Sequence, residues 1–173
     1  VYKVYPTYET SSEIIEPLIE SVEKNEKIRL YTSSKLKDVS GYIGNFEISI
    51  EQRGKEIKLR SGSIIVSTGA KEFEPKGLYG YNEFDEVVTQ LQLERMLKEK
   101  ELDEVENVVM IQCVGARGEV VSYCSKICCM VAIKNAMILR EEYGANVYIL
   151  HNDINVGGEY EEHYRKSKEE GIR

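Results

Sequence analysis

A chain of 173 residues, 42% hydrophobic and 31% charged, has the composition of an ordinary soluble protein with room for one or two domains. Its net charge of −7 argues against nucleic acid as a partner, and no apolar run approaches the roughly 20 residues of a membrane helix. No signal peptide opens the sequence, so its four cysteines are expected as unpaired thiols in a reducing cytoplasm.

Val1 to Pro6 alternates Val and Tyr and reads as a short strand or an extended lead-in. Thr10, Ser11 and Ser12 offer helix caps, with Glu13 three residues after Thr10. Ile15, Leu18, Ile19 and Val22 fall on one helical face, an amphipathic helix covering a sheet. Pro17 fits best in a first turn, which places the regular part of that helix near Glu16. Ile28 to Thr32 reads as a short strand. Lys35 to Gly44 reads as a strand running into a glycine turn. Phe46, Ile48 and Ile50 alternate as a half-buried strand should, and Ile57 and Leu59 repeat the pattern after a hairpin turn at Arg53-Gly54-Lys55. Ser63 to Ser67 (SIIVS) is a continuous apolar run of the kind buried on both faces. The result is a three-stranded meander feeding a core strand. Thr68-Gly69-Ala70 closes that strand with small residues, which allow a ligand close to the backbone or simply make a tight turn. A connector with Pro75, Gly77 and Gly80 leads into a helix over Val87 to Lys100, with Thr89 as its cap and Leu91, Leu93, Met96 and Leu97 as its apolar contacts.

The second half begins with VVMIQ, a buried-strand run. A loop with Gly115 and Gly118 follows, then a helix from about Tyr123 to Tyr143 stopped by Gly144, then a strand at Val147 to Leu150. This is a βαβ unit. All four cysteines lie in its first loop and helix start: Cys113, Cys124, Cys128 and Cys129. Thiolates bind soft metals, and four of them fill the sites of a [4Fe–4S] cube. If residues 124–129 are helical, Cys124 and Cys128 share a face and Cys129 is turned about 100° from Cys128. Spacing alone leaves inert core thiols equally open. The CxxC-like knuckles of structural zinc are absent, and a vicinal Cys128–Cys129 disulfide would be strained. After the last strand the chain turns at Gly157-Gly158 into a charged, solvated helix. His151 and His163 read as surface or packing residues.

The stretches IQCVGARG and YCSKICCMVAIKNA resemble the flavin-containing A subunit of heterodisulfide reductase and its relatives. So do VSGYIGNFEI, IIVSTGA, YNEFDEVVTQLQLERML and the tail GGEYEEHYRKSKEEGIR, so the resemblance covers nearly the whole chain. It implies that Cys113, Cys124, Cys128 and Cys129 ligate one [4Fe–4S] cluster. Thr68, Gly69 and Ala70 resemble the ATG motif of flavoproteins with two dinucleotide-binding domains, which implies that they lie against FAD. The same resemblance puts a loop near Lys35 and Leu36 against the FAD adenine. Two family features are missing. No GxGxxG precedes Ile28, so the chain is expected to begin midway through an FAD domain, and its last unit also looks cut short. The meander carries a plain turn where many members have a ferredoxin-like insertion with further cysteines.

The expected architecture is α/β: a partial FAD-binding domain with a β-meander over residues 1–75, a connector with a helix over 76–104, and a partial Rossmann-like βαβ domain over 105–173. The resemblance implies a cytoplasmic oxidoreductase subunit of methanogenesis, passing electrons between FAD and the cluster alongside other heterodisulfide-reductase-type subunits and electron carriers. Without the pyrophosphate turn the isolated piece is expected to bind FAD poorly and to be inactive. Whether it forms a homodimer through exposed sheet edges stays open. A rival class is a redox-inactive scaffold or partner-binding domain with buried or zinc-bound cysteines. A third is a thiol oxidoreductase using Cys124 with Cys128.

Overall fold

A computed structural model describes residues 1–119 and 121–173. Its mixed helices and strands give the α/β class expected from the sequence. Two compact units are present: Val1–Ile14 with Glu72–Arg173, and Ile15–Lys71. Among the described residues no helix is long and apolar enough to cross a membrane.

Helix α1 spans Ser11–Glu23 and contains Pro17 in its interior. It starts earlier than Glu16 because Thr10 and Glu13 lock its first turn. The Thr10 N–H and hydroxyl both donate to the Glu13 carboxylate, at 2.9 and 2.7 Å. Those bonds hold the Glu13 carboxyl below its ordinary range. Pro17 costs the helix one hydrogen bond to the residue four earlier. The lead-in is irregular apart from one bridge, Lys3 with Thr10.

The unit of residues 15–71 is the expected meander. Strands β1 (Ser34–Tyr42), β2 (Asn45–Gln52) and β3 (Lys55–Ser61) pair antiparallel in that order, with an irregularity between Leu36 and Asp38. Arg53 and Gly54, both at positive φ, make the two-residue turn between β2 and β3. Gly41 must be glycine, because a Cβ there would sit 2.2 Å from the Asn45 carbonyl oxygen. Two expected strands are absent. Ile28–Thr32 is irregular with Ile28 and Leu30 exposed, and Ser63–Ser67 is irregular with Ile65 88% and Val66 78% exposed. A strand needs a neighbour to pair with, and among the described residues neither run has one.

The other unit holds the core. Helix α2 (Gln90–Glu99) opens with a complete capping box between Thr89 and Gln92. Its Leu93 and Leu97 are buried, whereas Leu91 is exposed. Strand β4 (Asn107–Ile111) pairs parallel with β5 (Asn146–Leu150), and helix α3 (Cys128–Tyr143) connects them. Of the β4 run only Met110 is buried, since Val109 and Ile111 face solvent; the strand is covered on one side only. Gly144, at φ +69, ends α3 with its N–H on the Arg140 carbonyl. Helix α3 is buried nearly all round from Cys129 to Leu139. A short 3-10 turn at Gly158–Tyr160 leads into helix α4 (Glu161–Glu169), whose Ser167 is buried and whose Tyr164 packs against the core, the charged side chains being exposed. Beyond it the main chain of Arg173 pairs with Val147 and Ile149 of β5.

Candidate metal centre

The cysteines gather where an open α/β layer places its ligands, beyond the carboxyl ends of parallel strands. The β4 ladder runs one residue further, the Gln112 N–H donating to the Leu150 carbonyl at 2.9 Å. The chain then folds tightly. Cys113, Gly115 and Arg117 have φ of +62, +73 and +57, and the Ala116 N–H closes a turn on the Cys113 carbonyl. Gly115 has no room for a side chain: a Cβ would stand 2.5 Å from the Phe73 ring. Hydrogen bonds from Arg117 N–H to the Tyr123 carbonyl and from Gly118 N–H to the Val121 carbonyl bring the loop back towards α3.

Helix α3 begins at Cys128, later than the expected Tyr123, so Cys124 is not on its face. Lys126 at φ +59 breaks the helical path, and its N–H donates to the Cys124 sulfur at 3.3 Å. The first two helical residues are Cys128, exposed, and Cys129, buried. First-turn amides have no acceptor inside a helix, and the dipole favours negative charge beside them.

Cys113, Cys124, Cys128 and Cys129 are all free and line a single small cavity, with Gln112 and Arg117 beside them. The space between the side chains, about 20 Å³, is that of one water. Among the described residues no three His, Cys, Asp or Glu side chains are grouped so as to hold one metal ion. The donor set fits an iron–sulfur centre in number and kind: four thiols on one cavity, no carboxylate lining it, and polar hydrogens turned on the sulfurs. Ser125 Oγ lies 2.7 Å from the Cys128 sulfur. The Asn155 N–H donates to Cys129 at 3.4 Å, and its Nδ2 to Cys124 at 3.8 Å. Gln112 Nε2 is buried without an acceptor among the described residues.

An ion pair ties the loop after β4 to the loop after β5. The Arg117 guanidinium grips the Asp153 carboxylate through both nitrogens, one contact being 3.1 Å. Hydrogen bonding to Asp153, its charge, and a further hydrogen bond to Cys113 raise the Arg117 pKa, while the bonds from Arg117 lower that of Asp153.

Sequence reading found the thiols but not Arg117, Asp153 or Asn155. Arg117 stood inside the quoted motif. Asp153 and Asn155 were findable only from topology, since the loops that follow two parallel strands lie at the same sheet edge. The flavin candidates are in the other unit. Lys35 and Leu36 lie within β1, opposite Glu51 and Ile50, and not in a loop, because the β1–β2 ladder begins at Ser34. Thr68, Gly69 and Ala70 are exposed in irregular chain and do not close a strand; Gly69 has φ +71 and open space where a side chain would be.

No family model matches the sequence. Curated relatives do. The chain is 28% identical over 99% of its length to an iron-sulfur A subunit of the CoB–CoM heterodisulfide reductase of Methanopyrus kandleri. It is 28% identical over 97% of its length to the corresponding iron-sulfur polypeptide of Methanocaldococcus jannaschii. The identity is 38% over 72% of the chain with the A subunit of the ferredoxin/F(420)H(2)-dependent CoB-CoM heterodisulfide reductase of Methanosarcina acetivorans. The chain spans 40% of the length of the first two and 18% of the third. The first alignment runs over 272 residues against the 173 of this chain, so that relative carries inserted sequence within the matched region.

Proposed function

The chain belongs to the family of heterodisulfide reductase A subunits, and we propose that in it Cys113, Cys124, Cys128 and Cys129 ligate one [4Fe–4S] cluster that exchanges electrons with FAD. The observation that carries the reading is the convergence of all four thiols on one cavity beyond the parallel strands, with hydrogen-bond donors on their sulfurs. The bound cluster supplies one-electron carriage at a potential set by charge, hydrogen bonds and exposure.

The protein's own residues do the rest. The left-handed turn at Cys113 presents one thiol from the strand end, and the α3 start presents two more. The helix dipole and the amides of Lys126 and Asn155 offset the negative charge that four thiolates bring. Thr68, Gly69, Ala70, Lys35 and Leu36 are assigned to FAD in the whole protein, where residues 1–75 form part of the FAD domain, 76–104 a connector and 105–173 the cluster-bearing domain. The activity is that of a cytoplasmic oxidoreductase of methanogenesis. Its partners are further reductase subunits and carriers of the kind the relatives' names state: ferredoxin, F(420)H(2) or H(2).

Anaerobic reconstitution tests the reading. About four iron and four sulfide per chain are expected, with a paramagnetic signal after reduction. Each of Cys113→Ser, Cys124→Ser, Cys128→Ser and Cys129→Ser should lower the iron retained through gel filtration. Zinc, or no metal, in the anaerobic wild-type chain would overturn it in favour of a scaffold with core thiols.

A further inference from the structure

We propose that Asn155, in the loop after β5, is a positioning residue that donates to two of the four thiols and thereby sets the reduction potential of the centre they form. The inference rests on the cluster reading above. The other polar groups on these sulfurs, the Lys126 N–H, Ser125 Oγ and the Arg117 guanidinium, come from the cysteine stretch itself. Asn155 is different. It reaches Cys129 from 26 residues away and Cys124 from 31, so both contacts exist only because the fold closes there.

Geometry supports a built arrangement. Asp153, two residues before Asn155, is held by the Arg117 guanidinium, and Arg117 also bonds Cys113. The loop after β5 is thus fastened to the cysteine loop by a two-pronged ion pair and by two N–H to sulfur contacts. The main-chain amide of Asn155 is partly buried on Cys129, the most buried of the four thiols, while its side chain reaches the half-buried Cys124. A donor on a ligand sulfur stabilises the more negative, reduced form more than the oxidised one, so it raises the potential. Residues outside the ligand set that orient and polarise ligands in this way matter to a metal site nearly as much as the ligands.

The experiment is a redox titration, followed by electron paramagnetic resonance, of the anaerobically reconstituted chain and its Asn155→Ala and Asn155→Pro variants. Alanine removes the side-chain donor, and proline also removes the main-chain one. The midpoint should fall from wild type to alanine and again to proline. A second measurement does not depend on the proline variant folding. Pulsed resonance on chain labelled with 15N-asparagine should show a nitrogen coupled to the reduced centre, lost in Asn155→Ala. An unmoved midpoint in a cluster-bearing proline variant, or a coupled nitrogen that survives Asn155→Ala, overturns the inference and leaves the cluster reading standing. A wild-type chain that takes up no iron and sulfide removes both.

Discussion

At the scale of single residues, a side chain acts through what it meets in the fold: the Arg117 guanidinium meets Asp153, and Asn155 meets Cys129 and Cys124. Four cysteines in one stretch announce themselves by chemistry, because soft-metal ligands are few and their spacing is visible. Arg117, Asp153 and Asn155 are common surface residue types, and their meaning lies in which sulfur or carboxylate they meet after folding. Tyr8 is a further residue of this kind. It is half-buried against the core at φ +62, and burial, with Glu141 nearby, pushes its phenol up to about 12. An unfolded tyrosine ionises near 10. The folded chain therefore keeps a proton that the unfolded chain releases, so Tyr8 contributes its full stability below about pH 10 and loses it as pH rises towards 12. Urea unfolding at stepped pH should show wild type losing more stability than Tyr8→Phe between pH 10 and 12, and equal slopes below pH 9. Parallel slopes across the whole range would mean that the phenol is not desolvated.

At the scale of elements, legibility followed hydrogen-bond partners. Strand β1 and the alternation in β2 and β3 are readable because each strand pairs with its sequence neighbour. The runs at Ile28–Thr32 and Ser63–Ser67 carry strand composition, but composition does not supply a partner. Helix α3 starts later than the expected Tyr123 because Lys126 turns left-handed and delays it to Cys128. The middle of α3 held a clue that patterning could expose: Lys134 is a lone charge within VAIKNAMIL. It is 1% exposed and donates to Glu94 of α2 at 2.6 Å and to the Lys3 carbonyl at 2.7 Å. Glu94 in turn accepts the Tyr2 N–H at 2.8 Å, so one buried pair joins the lead-in, α2 and α3. Removing one partner of such a pair leaves an uncompensated charge and costs about 3–5 kcal/mol, whereas replacing both is often close to neutral. Glu94→Leu should therefore lower the urea midpoint sharply, and Lys134→Met with Glu94→Leu should recover part of the loss. Recovery stops short because the Lys3 carbonyl and the Tyr2 amide lose their partners. A double variant no more stable than the single would mean that the network, and not the pair, carries the stability.

At the scale of the whole molecule, the two units differ in what holds them. Every fully buried side chain lies in the unit of residues 1–14 and 72–173, among the described residues; residues 15–71 contain none. The meander is held by its ladders, by cross-strand ion pairs such as Lys37 with Glu51 and Arg60 with Glu47, and by half-buried Phe46, Ile48 and Ile50. Such ion pairs are exposed and screened by solvent, so they hold the ladder only weakly, and cross-strand neighbours contribute roughly 0.2–1 kcal/mol. Three strands with no fully buried side chain stand near the lower limit of independent stability. In the other unit, α3 alone buries Ile133, Met137, Ile138 and Leu139, each a contribution of about 1.5–3 kcal/mol relative to exposure. The expected consequence is unequal opening. Amide hydrogen exchange followed by mass spectrometry should show β1–β3 exchanging well before the second half of α3 and β5. Raising the salt concentration should accelerate exchange in the meander, by screening its ion pairs, while leaving α3 little changed. Equal protection of the two units would mean that the apolar surface left open on residues 15–71, at Leu36, Ile65 and Val66, is covered in solution.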